Sequence, residues 1–494
     1  MYRSFKILII LFAAIVALIG CASDKIWGGN IITIDDESEV EKGTAQHERI
    51  LAQVGAYKNA ELARYIDAIG EKIAVASDRP KLRWHFTVLD LEIPNAFATQ
   101  GGYVYITRGM LALLQSETEL AAILAHETAH ICARDTPQAE RVGNMMGLGV
   151  LGVLVAAPAL ILFPQVAAAP AAAGMASISR KNEINADKLG TQYLFRAGYP
   201  PESMATTMEI LANMEAYEHD RQKVAGRNPS GWWHRIYASH PTTETRQEKL
   251  TENANVPGSI ADITPQPEFL ARLNSLEIGS SKFEGIPYKD KRYFSQWKIA
   301  LKTPEGWFAH MNEARAQFWL VRPDRKAQLQ MEKTSSINIE QPCETLQNLM
   351  KPSPVTDTKP LVENDLLSCA GLVHKSSSTL FGRHEEVFRA GVIAESKAAG
   401  LGYIFRGYAD KKEFSENDLV FLSVARSIET IKTTDVQPKP FSLKIRRAKT
   451  GETFASIASS SRFSGNNAEN LLRLLNRRYP NGEPKAGELI KIVE

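Results

Sequence analysis

Only four of the 494 residues are cysteine, and they stand far apart at 21, 132, 343 and 369, so a disulfide-dense scaffold is excluded. An excess of charge of one sign is missing too. The 58 Lys+Arg against 56 Asp+Glu leave a net charge of +2, without the basic surplus needed to neutralise a phosphate backbone. Nucleic acid is thereby excluded as a main partner, and so is an acidic disordered chain. A mean hydropathy of -0.21 rules out a polytopic membrane protein, and no solenoid-type repeat is visible. What is present is an ordinary globular composition, 44% hydrophobic and 8% aromatic. The chain is long enough for about three domains.

The first 20 residues read as an export signal, with Arg3 and Lys6 ahead of an uncharged apolar run from Ile7 to Gly20. Fourteen residues suit a signal-peptide core and are short for a membrane span. The run ends in Leu18-Ile19-Gly20-Cys21, which resembles the bacterial lipobox. Cys21 is then the acylated first residue of the mature chain; the alternative is an ordinary signal or anchor that contains a cysteine. Ala22 and Ser23 follow, with no Asp, which by resemblance to the Gram-negative sorting rule places the protein at the periplasmic face of the outer membrane.

Residues 21–36 read as a linker and 37–252 as a helix-rich domain with one hairpin. Ala60 to Ala76 places Leu62, Tyr65, Ile66, Ile69 and Ile73 at helical spacing, and Trp84 to Leu89 reads as a strand. Ala96 to Ala98 and Tyr103 to Thr107 read as strands joined across the turn at Gly101-Gly102. Residues 253–287, loose in Pro, Gly and Ser, read as a linker. An α+β module is expected over 288–435, with strands at Gln317 to Val321 and Leu401 to Phe405 and a helix over Asp418 to Ile431. A small basic α+β unit occupies 436–494.

His126-Glu127-Thr128-Ala129-His130 is H-E-x-x-H on a credible helix, with Ser116 and Glu119 as a capping box. Four residues apart, the two imidazoles leave one helix face, as two ligands of a tetrahedral metal must, and Glu127 sits beside them within reach of a water. The third ligand is expected to be Glu183, 53 residues after His130. Asp187, one turn further, shares its face and suits the N–H of a ligand histidine. In Ser239-His240-Pro241-Thr242-Thr243-Glu244-Thr245-Arg246, Pro241 keeps His240 out of helix. His240 then serves either as an oxyanion donor or as an occupant of the open metal position, and Arg246 as fixed positive charge for the oxyanion. Cys132 points a half turn away and reads as core.

HETAH, the Glu183…Asp187 pair, the 239–246 octapeptide and Asn95-Ala96-Phe97-Ala98 with Gly102 together resemble metallopeptidase family forty-eight, in its BepA-like periplasmic branch and not the multi-spanning HtpX-like one. The resemblance covers about residues 37–250. It implies a gluzincin-type, mainly helical domain with a small sheet, and one zinc ion per chain on His126, His130 and Glu183, with Glu127 catalytic. Two departures stand out: Thr128-Ala129 where Ile-Gly is usual, and Asp135 where a histidine is common.

The expected reaction is hydrolysis of unfolded polypeptide, its backbone added as a strand beside Tyr103 to Thr107. Residues 142–179 hold no charge before Arg180, and the apolar stretch 145–163 reads as a helical hairpin over the site or as a segment dipping into the membrane surface. Pro304 to Trp307 and Phe421 to Ile428 look weakly PsbP-like, and His374 and His384 read as surface residues. Cys343 and Cys369 are either a disulfide or two buried thiols. The C-terminal unit, through Thr450 to Ala458, Leu471 to Asn476 and Lys485 to Val493, resembles a LysM-like glycan-binding module and implies peptidoglycan contact. Two readings follow: a lipid-anchored periplasmic zinc endopeptidase of envelope protein quality control, or a non-catalytic chaperone or tether between outer membrane and peptidoglycan.

Overall fold

A computed structural model describes residues 36–135, 172–224, 246, 250 and 265–494, the last stretch with interruptions at 281–283, 313–315, 323–325, 336, 339, 362–367, 380–381, 396–400, 432–439, 462 and 464–466. The expected signal, Cys21, the 145–163 stretch and His240 lie outside the described residues.

The helical domain opens with α1 (Asp36–Val54) and α2 (Ala60–Ala76). The side chain of Asn59 caps α2 by accepting from Leu62 N at 3.0 Å; of the expected stripe, Leu62, Ile66, Ile69 and Ile73 are buried and Tyr65 is partly buried against the core. Strands β1 (His85–Leu89), β2 (Ala96–Thr99) and β3 (Tyr103–Thr107) form a sheet in the order β1-β3-β2. The β2–β3 hairpin turns through Gly101 and Gly102 at φ +81° and +93°, which suits glycine. Because β1 pairs in parallel on its other side, β3 is central and has no edge to offer. The expectation that a substrate strand joins Tyr103 to Thr107 is therefore corrected: the edge nearest the site is β2.

After α3 (Arg108–Leu113) comes α4 (Glu117–Ala133), buried along almost its whole length. Ser116 Oγ accepts from Glu119 N at 3.2 Å, which is one half of the expected capping box, while the Glu119 carboxylate accepts from Gln115 N and meets Arg477 at 2.8 Å. Helix α5 (Ala172–Arg196) packs on α4 through Gly190, where a Cβ would lie 3.2 Å from His126 N. Helix α6 (Ser203–Val224) follows.

The expected linker is partly folded. Its residues contain α7 (Pro267–Arg272) and β4 (Glu277–Ile278), and Phe269, Leu270, Leu273 and Leu276 sink into the core of the helical domain. Burying four large apolar side chains contributes several kcal/mol, which the proline and glycine content of the segment did not reveal.

The α+β module has two sheets. One is β5 (Ile286–Tyr288), β6 (Lys291–Phe294) and β7 (Ile299–Leu301), completed by β15 below. The other joins β8 (Phe308–Asn312), β9 (Gln317–Val321), β10 (Ala327–Thr334), β11 (Val355–Lys359), β12 (Ser368–Thr379), β13 (Gly382–Ala394) and β14 (Gly402–Ala409) in the order β11-β12-β13-β14-β10-β9-β8. Cys343 on α8 (Pro342–Met350) is bonded to Cys369 on β12. The helix expected to reach Ile431 is α9 (Phe414–Arg426); it ends early because Ser427 accepts from Lys302 N and β15 (Glu429–Thr430) pairs with β7. His374 is exposed, with Nε2 2.9 Å from Thr356 Oγ1.

The C-terminal unit runs β16 (Phe441–Arg447), α10 (Phe454–Ser460), α11 (Ala468–Leu475) and β17 (Leu489–Val493), its two strands antiparallel. It is not a separate bead. Strand β4 pairs with β16, the buried residues of both units form one continuous core, and Lys491, fully buried, donates from Nζ to the carbonyls of Ala112 and Leu114 at 2.7 and 2.5 Å.

Candidate metal centre

Helix α4 carries His126 and His130 on one face. Their Nε2 atoms are 3.1 Å apart and their rings stand edge to face at 87°. Helix α5, held close by Gly190, brings Glu183 across from them, with Oε2 3.4 Å from His126 Nε2 and Oε1 3.4 Å from His130 Nε2. One ligand atom from each of the three side chains lies within 4.8 Å of the others. One turn along α5, Asp187 Oδ1 lies 3.1 Å from His126 Nδ1, and on the other side Asp135 Oδ2 lies 2.6 Å from His130 Nδ1. Both imidazoles thus turn Nε2 toward the shared point and Nδ1 toward a carboxylate. Two neutral imidazoles, a carboxylate and orienting carboxylates behind the imidazoles are a donor set that fits zinc.

Electrostatics agree with a cation at this point. Burial works against charging either histidine, yet the bonds to Asp187 and Glu183 raise the pKa of His126, and Glu183 with Asp135 raises that of His130 well above its ordinary value. Burial pushes Asp187 upward, but Arg246 and His126 hold it below the usual carboxylate range.

Glu127 is 3% exposed and lines a cleft with His126. Asn95 and Ala96 at the β2 edge form one wall, and Thr207, Met208 and Leu211 of α6 another. Thr128 and Ala129, the unusual pair in the motif, are wholly buried and do not line it. Arg246, expected to face an oxyanion, also lines the cleft and is held by carboxylates: its Nε and Nη2 meet Asp187 at 2.7 and 2.8 Å and its Nη1 meets Glu183 at 3.0 Å. Cys132 is a half-buried free thiol packed against the core. Asp135 was noticed in the sequence only as a departure; an acidic residue five positions after His130 was the signal available.

Residues 60–254 match the model of Peptidase family M48. This part of the chain is similar to M48 peptidases. The chain is similar to the Beta-barrel assembly-enhancing protease of Escherichia coli K12, 27% identical over 231 residues, or 44% of each chain. The protein of that name in Yersinia pestis is 28% identical over 45% of each. The Mitochondrial metalloendopeptidase OMA1 of Schizosaccharomyces pombe is 30% identical over 38% of this chain and 52% of its own. The chain thus spans about half the length of the curated relatives it matches, or less. Among solved structures, the Ran-binding protein Mog1p of Saccharomyces cerevisiae aligns with 30% of this chain and 98% of its own at 11% identity and a TM-score of 0.23, too slight to inform function. Among the described residues, no helix is long and apolar enough to cross a membrane.

Proposed function

We propose that the chain is a zinc-dependent endopeptidase that hydrolyses unfolded or misassembled proteins of the bacterial envelope. The observation that carries the reading is the convergence of His126, His130 and Glu183 on one point, with His126 and its neighbour Glu127 lining the cleft. Those three side chains would hold a zinc ion, which when bound would supply Lewis acidity for the scissile carbonyl and for a water. Glu127 is the base that takes the proton of the attacking water and passes it to the leaving amine. The edge of β2 receives the substrate backbone as an added strand, which selects extended over folded polypeptide. Arg246 keeps Glu183 and Asp187 aimed, and His240 either donates to the oxyanion or occupies the open metal position.

Around this core the reading places an acyl anchor on Cys21, the periplasmic face of the outer membrane as location, and peptidoglycan as a ligand of the C-terminal unit. The strand-helix-helix-strand order of that unit supports a LysM-like assignment. The tether reading has less behind it, because a scaffold has no use for a buried Glu127 at the head of the cleft. Glu127→Gln decides between them: casein hydrolysis by the mature chain should fall at least a hundredfold with zinc content unchanged. Retained turnover sinks the enzyme mechanism.

A further inference from the structure

We propose that Asp135 is the positioning residue of His130, and that Glu39 on the first helix holds it in place through Arg134. The inference rests on the metal reading of the cleft.

The geometry begins with the way α4 ends. Had the helix continued, Asp135, five residues beyond His130, would lie about 140° round the axis from it. It does not continue. Arg134 takes the left-handed conformation, φ 57° and ψ 39°, with its N–H on the carbonyls of His130 and Ile131. This conformation is unfavourable for a residue with a Cβ. The turn brings the next side chain back over the last helical turn, and Asp135 Oδ2 reaches His130 Nδ1 at 2.6 Å.

The strained residue is clamped. Arg134 Nε lies 2.8 Å from Glu39 Oε1, and Glu39 Oε2 accepts from Arg79 Nη1 at 2.8 Å; the same Nη1 donates to Ile131 O at 3.1 Å. Glu39 is 2% exposed, a buried carboxylate between two guanidinium groups, and it lies on α1, outside the M48 match. At the far end of this relay, donation of Nδ1–H to a carboxylate leaves the Nε2 lone pair facing Glu183 and makes it a stronger donor. Asp187 stands in the same relation to His126, so each metal histidine has its own acidic partner, one from α5 and one from the end of α4.

The test is zinc affinity of the full mature chain, measured by competition with a chromophoric chelator, with cobalt absorption as a second readout of ligand geometry. Thermal unfolding of the metal-free forms is followed in parallel. Asp135→Ala should weaken zinc binding 10- to 100-fold. Asp135→Asn, whose amide oxygen still accepts from Nδ1–H, should lose less, and Glu39→Gln should move in the same direction. The metal-free unfolding midpoint of Asp135→Ala should fall by much less than the lost zinc affinity accounts for. Equal zinc affinity in wild type and Asp135→Ala overturns the proposal while leaving the metal centre intact. An affinity loss matched by an equal fall in metal-free stability overturns it as well, because the role is then structural. A wild-type chain that takes up no stoichiometric zinc removes both this inference and the reading beneath it.

Discussion

Arg246→Ala separates two jobs for one guanidinium. The side chain is 2% exposed and makes three contacts of 2.7 to 3.0 Å with Asp187 and Glu183, each 3% exposed. Its removal leaves two buried carboxylates facing His126 and His130 without a permanent positive charge beside them. Breaking a buried pair by deleting one member costs about 3–5 kcal/mol, a large part of the roughly 5–15 kcal/mol that holds an ordinary domain together. Urea unfolding in EDTA should show that loss. With saturating zinc, the ion's charge beside Glu183 should shrink the deficit between variant and wild type. Acid sensitivity should change as well. Asp187 is held below the usual carboxylate range, so its contribution is complete above the unfolded value of about 4 and disappears as pH falls through the lower folded value. The wild type should therefore keep a stability advantage at pH 5 and 7 that narrows as acidification proceeds below about pH 4. An Arg246→Ala chain that unfolds in EDTA within about 0.5 kcal/mol of the wild type, the range of an ordinary surface substitution, refutes the reasoning and returns Arg246 to the role of oxyanion contact.

Two other substitutions probe the frame around the site. Gly190→Val places a side chain against Met204 and the backbone of Ala125 and His126; overpacking should cost about 1–3 kcal/mol and weaken zinc binding in the same chelator competition, and undiminished affinity would show that α5 re-seats without moving Glu183. Lys491, held at a pKa of about 7 by burial, sheds its proton in the folded chain while the unfolded chain keeps it. Stability should then climb between pH 7 and 10 by up to about 1.4 kcal/mol per pH unit from this group, and Lys491→Met should flatten that slope; identical slopes in the two chains would show that Lys491 is not the titrating residue.

The parts of the structure legible in the sequence are those set by neighbours along the chain. The apolar stripe of α2, the glycine turn between β2 and β3, and the spacing of His126 and His130 each need only a few consecutive residues. Pairing order was not legible, because nothing in Tyr103 to Thr107 says that β1 arrives from the other side to make it central. The helix written through Ile431 fails for the same reason: β15 forms by meeting Ile299 and Ala300, some 130 residues earlier. The stretch at 265–280 kept its turn residues and yet became a buried strap, since Phe269 and Leu270 found a core that the chain completes only at β17. Asp135 was hidden by Arg134, because a left-handed turn is read from Gly or Asn and almost never from Arg.

The shared core changes what a C-terminal unit can do. Arg477, at 7% side-chain exposure, meets Glu119 in the first turn of α4; Gln115 donates to Leu475 O; Asn467 and Tyr479 hold Tyr217 and Asp220 near the end of α6. Helix α6 is also a wall of the cleft, through Thr207, Met208 and Leu211. Undocking the unit would take Lys491 from its two carbonyl acceptors and Arg477 from Glu119 and expose Leu472, Leu475 and Val493, which costs several kcal/mol from the apolar surface alone. A tether that swings on a flexible joint has none of these contacts. A ligand on the C-terminal unit therefore acts on a body continuous with both the metal helix and the cleft wall, and its binding energy can reach the cleft only to the extent that it differs between two arrangements of α6.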